Sequence, residues 1–167
     1  MGRGLGGASA DAEFDDFVVA VWPSLVWSAY LLCGDRGTAE DLAQSSLARI
    51  YARWSTVRRT SAQAYARRTL VNLNTDRIRR HRPTTSLEEA PESARVETAA
   101  EVVDDRDLAV RLLAPLTQRE RQVLVLRYVY DLTEAQVAEE LGLAVGTVKS
   151  AHARALSRVR AEGRAQR

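Results

Sequence analysis

Five side chains toward the end of this 167-residue chain have the types and the spacing to grip a polyanion: Thr147, Lys149, Ser150, Arg154 and Arg158. Periodicity predicts a helix from Val145 to about Arg160 and places all five on its outer side. Cationic nitrogens there can pair with phosphate oxygens, and hydroxyl and guanidinium groups can donate to base edges. The opposite side carries Val145, Val148, Leu156 and Val159, an apolar row that must face a core. Just upstream, Thr133 can cap a short helix from Glu134 to Leu141, with Val137 and Leu141 one turn apart. Gly142 supplies a residue free to take positive φ, Leu143 plugs the angle, and small Ala138 lets the two helices approach. Helix, glycine turn and basic second helix describe a helix-turn-helix; the plain alternative is a surface αα-hairpin.

A second concentration of positive charge lies earlier. Between Arg49 and Arg82 there are ten arginines against a single acid, Asp76. Ser61 can cap a helix from Ala62 to about Arg80, with Ala66, Leu70 and Leu73 inward. Its other faces hold Tyr65, Arg67, Arg68, Asn72, Asp76, Arg77, Arg79 and Arg80, and a loop from Ser55 to Thr60 adds Arg58 and Arg59. An ordinary helix surface mixes its signs, whereas a one-signed field suits a polyanion; a basic face with no ligand is the bland reading.

Other chemistry is missing. Paired carboxylates, a nucleophile with its base and a glycine-rich phosphate loop are not found. Cys33 is the sole cysteine, so neither an internal disulfide nor a cysteine zinc site can form. It sits in an apolar run, as a buried core thiol would, with a redox sensor as the alternative. His81 and His152 lack ligand spacing. No cofactor, no metal and no enzymatic activity are expected.

The elements that must position these groups can be read in outline. An apolar fraction of 46% with 28% charged residues supports packed cores in a soluble globular protein. Residues 1–10 are glycine-rich and read as a disordered tail without the apolar centre of a signal peptide. The apolar runs near Phe17 to Trp22 look too short to span a bilayer, and the lipidation pattern after Gly2 fails. A cytoplasmic protein is expected. A helix starting near Asp11 carries Phe14, Phe17, Val18 and Val21, Pro23 marks a break, and a second helix spans Ser24 to Leu32. Gly34 to Gly37 is a turn, and Thr38 with Asp41 fits a capping box opening a helix to about Trp54. Ala43, Leu47, Ile50 and Trp54 form its buried stripe. Its other side shows Asp41, Gln44, Ser45 and Ala48, polar but small, which either meets solvent or receives a partner helix.

From Thr84 to Asp107 eight acids face two arginines, with Pro91 inside the stretch, Pro83 just before it and no aromatic residue. This is a flexible acidic linker, either a solubilising spacer or an imitation of nucleic acid in a positive channel. A helix from near Asp104 to Leu113 opens the second domain; Pro115 ends it, and Thr117 with Glu120 offers a capping box. The following helix, through Val123, Leu124, Leu126, Arg127 and Val129, packs on the helix-turn-helix. The chain reads as all-α: a first bundle over residues 11–82, a linker over 83–103 and a helix-turn-helix bundle over 104–163.

The ordered motifs are specific. Gly34-Asp35, Ala39-Glu40-Asp41-Leu42-Ala43-Gln44, Ala64-Tyr65-Ala66-Arg67-Arg68 and Leu70-Val71-Asn72-Leu73 with Asp76-Arg77 come first. Leu116-Thr117-Gln118-Arg119-Glu120-Arg121, Leu126-Arg127-Tyr128 and Val145-Gly146-Thr147-Val148-Lys149-Ser150 follow. The chain resembles the extracytoplasmic-function (ECF) RNA polymerase sigma factors, and within them the SigE-like subgroup of actinobacteria. The resemblance implies a promoter-specificity subunit whose partners are core RNA polymerase, through the β′ coiled coil and the β flap, and promoter DNA. It admits an anti-sigma factor as a further partner and a monomeric state. It implies core binding by Asp41 and Gln44, with Ser45 and Ala48 on the same face. It implies −10 contacts from Arg58 and Arg59 in the melting loop and from Ser61 beside it, from Arg67, Arg68 and Asn72 on duplex, and from Arg77, Arg79 and Arg80 on upstream phosphates. At the −35 element it implies Lys149, Ser150 and Arg154 in the major groove, with Thr147 near phosphate. It favours the mimicry reading of the linker, and no appended regulatory domain is expected. Many family members carry Arg at the position of Ala151 and Leu at that of His152, so one DNA contact is expected to be missing and His152 to lie partly buried on the inner row. A self-sufficient dimeric repressor or activator is the competing reading; it leaves the arginine-rich bundle and the linker without a task.

Overall fold

Helix α1 runs unbroken from Leu5 to Cys33 in the structure, a computed structural model that describes residues 5–57, 61–81 and 105–165. The break expected at Pro23 does not occur. Proline has no N–H for the carbonyl of Val19, yet Pro23 is exposed and Val19 is 77% exposed, so water can take that acceptor. Val21, Leu25 and Ala29, on the other side, are buried and hold the helix through the proline. The disordered tail expected to residue 10 is likewise corrected, because Leu5–Ala10 is already helical. Adding residues to an existing helix is far cheaper than nucleating one. One consequence is that Ser9–Cys33 becomes long and apolar enough, by length and composition, to cross a membrane, contrary to the expectation from shorter apolar runs. Its buried face marks it as a core helix of the fold.

Gly34, at φ 76°, ends α1 with its N–H on the Tyr30 carbonyl, and the Cys33 thiol lies buried against the Asp35 carbonyl. Helix α2 spans Arg36–Tyr51, so Thr38 sits inside its first turn and the capping box expected with Asp41 does not open it. A short helix α3, Trp54–Val57, occupies what was expected to be the start of a loop. Helix α4 is Ala62–His81, with Ser61 Oγ accepting from the Ala64 N–H. Then come α5 (Asp105–Leu113), α6 (Gln118–Tyr128), α7 (Glu134–Leu141) and α8 (Val145–Ala165). Among the described residues there is no strand, as an all-α chain requires. The acidic linker at 83–103 lies outside the described residues.

The chain divides into two compact units. The first holds α1 up to Ala29 together with Gly37–His81. Its buried residues are Val21 and Leu25 of α1, Leu42, Ala43, Leu47 and Ile50 of α2, and Ala66, Leu70 and Leu73 of α4. Phe14 and Phe17 close on buried Trp54, with ring centroids 5.1 and 5.0 Å away. The Tyr51 hydroxyl donates to Asp11 at 2.9 Å, a bond that pushes the phenol up from its ordinary range.

The second unit holds Tyr30–Arg36 with the described residues from Asp105 onward. Within it the Tyr30 hydroxyl and the Arg36 guanidinium both donate to Asp107, at 2.7 and 2.9 Å. Arg36, and next Tyr30, hold that carboxyl below its usual range. Helix α6 is buried on nearly every side, from Glu120 through Leu126. Arg121 satisfies three carbonyls, those of Leu32, Ala114 and Leu116. Pro23→Ala is expected to raise the unfolding free energy by about 1–3 kcal/mol, since it restores a helical donor at an exposed position; chemical denaturation followed by helix signal checks this.

Candidate nucleic-acid interface

The interface of the second unit starts from two caps and a turn. Thr133 Oγ1 accepts from the Gln136 N–H at 3.2 Å while Gln136 Oε1 accepts from the Thr133 N–H at 2.8 Å, a full capping box on α7. Gly142 sits at φ 65°, ψ 37°, and its N–H returns to the Ala138 and Glu139 carbonyls. No atom lies within 4 Å of a Cβ built there, so the turn needs glycine for its backbone and not for space. The Leu143 N–H closes on the Ala138 carbonyl at 2.9 Å, and Leu143 itself is half-buried.

Helix α8 follows with a sharp division of its faces. Val148, Ala151 and Ala155 have no exposed surface at all. Leu156 and Val159 pack with Leu113 against Leu116, Leu124 and Ala155. Lys149, Ser150 and Arg154 are exposed, and Thr147 is half-buried in the first turn. Two expectations change here. Val145 is 40% exposed, not inward, because it begins the helix beyond the reach of its neighbours. Ala151 faces the core, so its small side chain is a packing requirement and the idea that it leaves out a DNA contact is set aside. His152 is half-buried at the edge of the inner row, with Nδ1 3.2 Å from Glu134 Oε1 and Nε2 3.0 Å from the Tyr128 hydroxyl. It thereby joins α6, α7 and α8.

Sequence reasoning missed Glu120 as a charged centre. Its capping box with Thr117 forms as expected, with Thr117 N–H to Glu120 Oε2 at 3.1 Å and Glu120 N–H to Thr117 Oγ1 at 3.3 Å. The same carboxylate, 2% exposed, also takes Arg158 at 3.1 Å and Arg154 at 3.5 Å. The spacing of Glu120 announced the cap; only the fold brings the arginines of α8 to it.

In the first unit α4 presents its charged side as expected. Arg68, Asn72, Arg79 and Arg80 are exposed, and Arg67 and Arg77 half-buried. Asp76 takes the Arg79 guanidinium at 2.9 Å, the Arg80 Nε donates to the Asp76 carbonyl, and Arg77 donates to the side-chain oxygen of buried Asn74. Arg58 and Arg59 lie outside the described residues. On α2, Asp41, Gln44, Ser45 and Ala48 are all exposed, backed by buried Leu42, Ala43, Ser46 and Leu47. Among the described residues no cluster could hold a metal ion.

Comparison with known proteins decides the family. A model of sigma-70 region 2 matches residues 17–84, and one of sigma-70 region 4 matches residues 112–161. The RNA polymerase sigma-E factor of Streptomyces coelicolor is 37% identical over 155 residues, covering 90% of this chain and 85% of that one. The chain belongs to the sigma-70 family. The sigma-E factor of Streptomyces avermitilis is 36% identical over the same share of this chain and 84% of its own. An ECF sigma factor, SigL of Mycobacterium tuberculosis, is 30% identical over 90% of this chain and 89% of that one. The fold is shared with the sigma factor RpoE of Bartonella quintana, solved in complex with the anti-sigma factor NepR: TM-score 0.69 at 22% identity, over 93% of this chain and 99% of that chain. The chain is thus an ECF sigma factor, a promoter-recognising subunit that works with core RNA polymerase and DNA. In this sigma factor the region 2 match takes in α2, α3, α4 and most of α1, and the region 4 match takes in α6, α7 and most of α8.

Two glycines of region 4 separate backbone strain from helix propensity. Gly142→Ala should cost about 1–2 kcal/mol because an L-residue is forced left-handed. Gly146→Ala, whose new methyl would meet open space inside α8, should instead stabilise by about 0.5–1 kcal/mol. Thermal melts of the two single variants check the opposite signs.

Proposed function

We propose that α8 is the helix this sigma factor lays in the major groove of the −35 element, with Lys149, Ser150 and Arg154 toward the bases and Thr147 beside a phosphate. The observation that carries this is the division of α8: Val148, Ala151 and Ala155 wholly buried, Lys149, Ser150 and Arg154 exposed. A helix anchored by a dry inner row holds its outer row in fixed register, and register is what base readout needs. The Ser150 hydroxyl already donates to the Gly146 carbonyl at 2.9 Å, so its lone pairs remain for a base donor.

In region 2 the proposal gives α2 the core polymerase. Asp41, Gln44, Ser45 and Ala48 form an exposed face of small polar residues against which the β′ coiled coil can close, while the β flap receives region 4. Arg67, Arg68 and Asn72 then meet duplex beside the −10 element, and Arg77, Arg79 and Arg80 hold phosphates upstream. The segment from Ser55 to Thr60, with Arg58 and Arg59, receives the base that leaves the stack when the −10 element opens; extrusion costs a few kcal/mol, which contacts to that base repay. The modules are residues 11–82 and 104–163, joined by the acidic stretch 83–103, and the protein works as a monomer in the cytoplasm, where the promoters are. An anti-sigma factor fits as a restraining partner; the structurally similar Bartonella protein was solved with one.

Run-off transcription with core enzyme tests the scheme. Lys149→Ala and Arg154→Ala should each lower −35-dependent transcription by about fivefold to a hundredfold, the worth of one lost base contact, while core binding survives. Loss of core binding with promoter preference intact would overturn the groove assignment. Asp41→Arg should weaken core association in a pull-down without lowering helix content, and unchanged retention would remove α2 as the docking face.

A further inference from the structure

We infer that Glu120 is a positioning residue for promoter reading: its buried carboxylate fixes the α8 arginines in the posture that separates the −35 element from other DNA. The inference rests on the groove assignment of α8 proposed above and concerns a residue of α6 that would touch no DNA. Glu120 is 2% exposed, and its oxygens are divided between two duties. Oε2 accepts from the Thr117 N–H at 3.1 Å and from Arg158 at 3.1 Å. Oε1 faces Arg154 Nε at 3.5 Å. The cap alone needs no charge, since Gln136 performs the same service for α7 with a neutral amide. The charge is therefore spent on the arginines.

The geometry at Arg154 shows what the charge does. The carboxylate lies at ion-pair distance from Nε, on the stem side of the guanidinium, and leaves both terminal nitrogens for an acceptor beyond the helix, where the side chain is 58% exposed. A long side chain held this way loses less freedom when it meets DNA than one that swings in solvent. One negative charge also offsets part of the field of Arg154 and Arg158, which lowers attraction to phosphate at any sequence. Both effects favour the matched site over the rest.

Glu120→Gln keeps a capping oxygen and removes the charge. The measurement uses the full chain bound to core RNA polymerase, on promoter duplex with the −35 element intact or scrambled, titrated with salt. The ratio of the two affinities is expected to fall by about fivefold or more, and binding to the scrambled duplex to steepen in its log–log salt dependence by about 0.9 for each arginine released. Thr117→Ala, which loses the hydroxyl cap and keeps the carboxylate, should lower the melting temperature and leave ratio and slope unchanged. An unchanged ratio and slope in Glu120→Gln, with the ratio lowered in Arg154→Ala, would overturn the role of Glu120 and leave the groove assignment standing. An unchanged ratio in Arg154→Ala would overturn both. The same loss of ratio in Thr117→Ala would reduce Glu120 to a structural cap. Arg154→Lys gives an independent check on an exposed residue: an ammonium cannot hold Glu120 and reach outward together, so retention of the full ratio by lysine would also overturn the inference.

Discussion

What a helix shows to a ligand is settled by what it must hide. On α8 the hidden row is Val148, Ala151 and Ala155, each without exposed surface. Two of the three are alanines, so the backbone of α8 lies close to its neighbours, and a larger residue there would push it away. Close approach on one face leaves little freedom to roll the helix about its axis. Lys149, Ser150 and Arg154 are presented outward as a consequence, before any charge or hydrogen bond is considered. The caps at Thr117 and Thr133 and the left-handed Gly142 act on the same constraint from the other side: they fix where α6 and α7 begin and where α7 ends, and hence the surface on which α8 can sit.

Charge is arranged differently in the two units. Helix α4 carries Arg67, Arg68, Arg77, Arg79 and Arg80 with Asp76 as the acid among them, and that acid is occupied by Arg79. Surface guanidinium groups of this kind contribute little to stability, and their mutual repulsion opposes folding slightly. A partner with phosphates relieves it. In region 4 Arg154 and Arg158 of α8 have an acid of their own beneath them. The first arrangement suits attraction that is indifferent to sequence, the second a surface that must discriminate.

Much of region 4 was legible because its signals are local. Thr133, Thr117 with Glu120 and Gly142 each act within one or two helical turns and have the role expected of them, and of the apolar row of α8, Val148, Leu156 and Val159 turn inward while Val145 does not. The errors came where distant burial overrode a local preference. Pro23 ends a helix only if nothing else holds it, and Val21, Leu25 and Ala29 do hold it. Thr38 offers a good cap, yet α2 starts earlier, at Arg36. Ala151 looked like an absent contact because a residue type was compared with a family habit; its burial shows that the inner row passes through it. The partners of Asp107, Arg121 and His152 come from residues far along the chain, which no spacing rule connects.

Glu120 joins these strands. A carboxylate at 2% exposure carries a desolvation penalty, and a buried ion pair is weak support for stability because apolar replacements often match it. As a cap it is replaceable by an amide. Its position beneath Arg154 and Arg158 is thus poorly accounted for by folding alone. It is well accounted for if the surface above it has to be orderly and only moderately positive. A DNA-reading helix with loose, fully charged arginines would bind any duplex; one whose arginines are already committed to an acid gives up general affinity and keeps the part that depends on sequence. For a subunit that must leave most of the genome alone, that exchange favours the promoter.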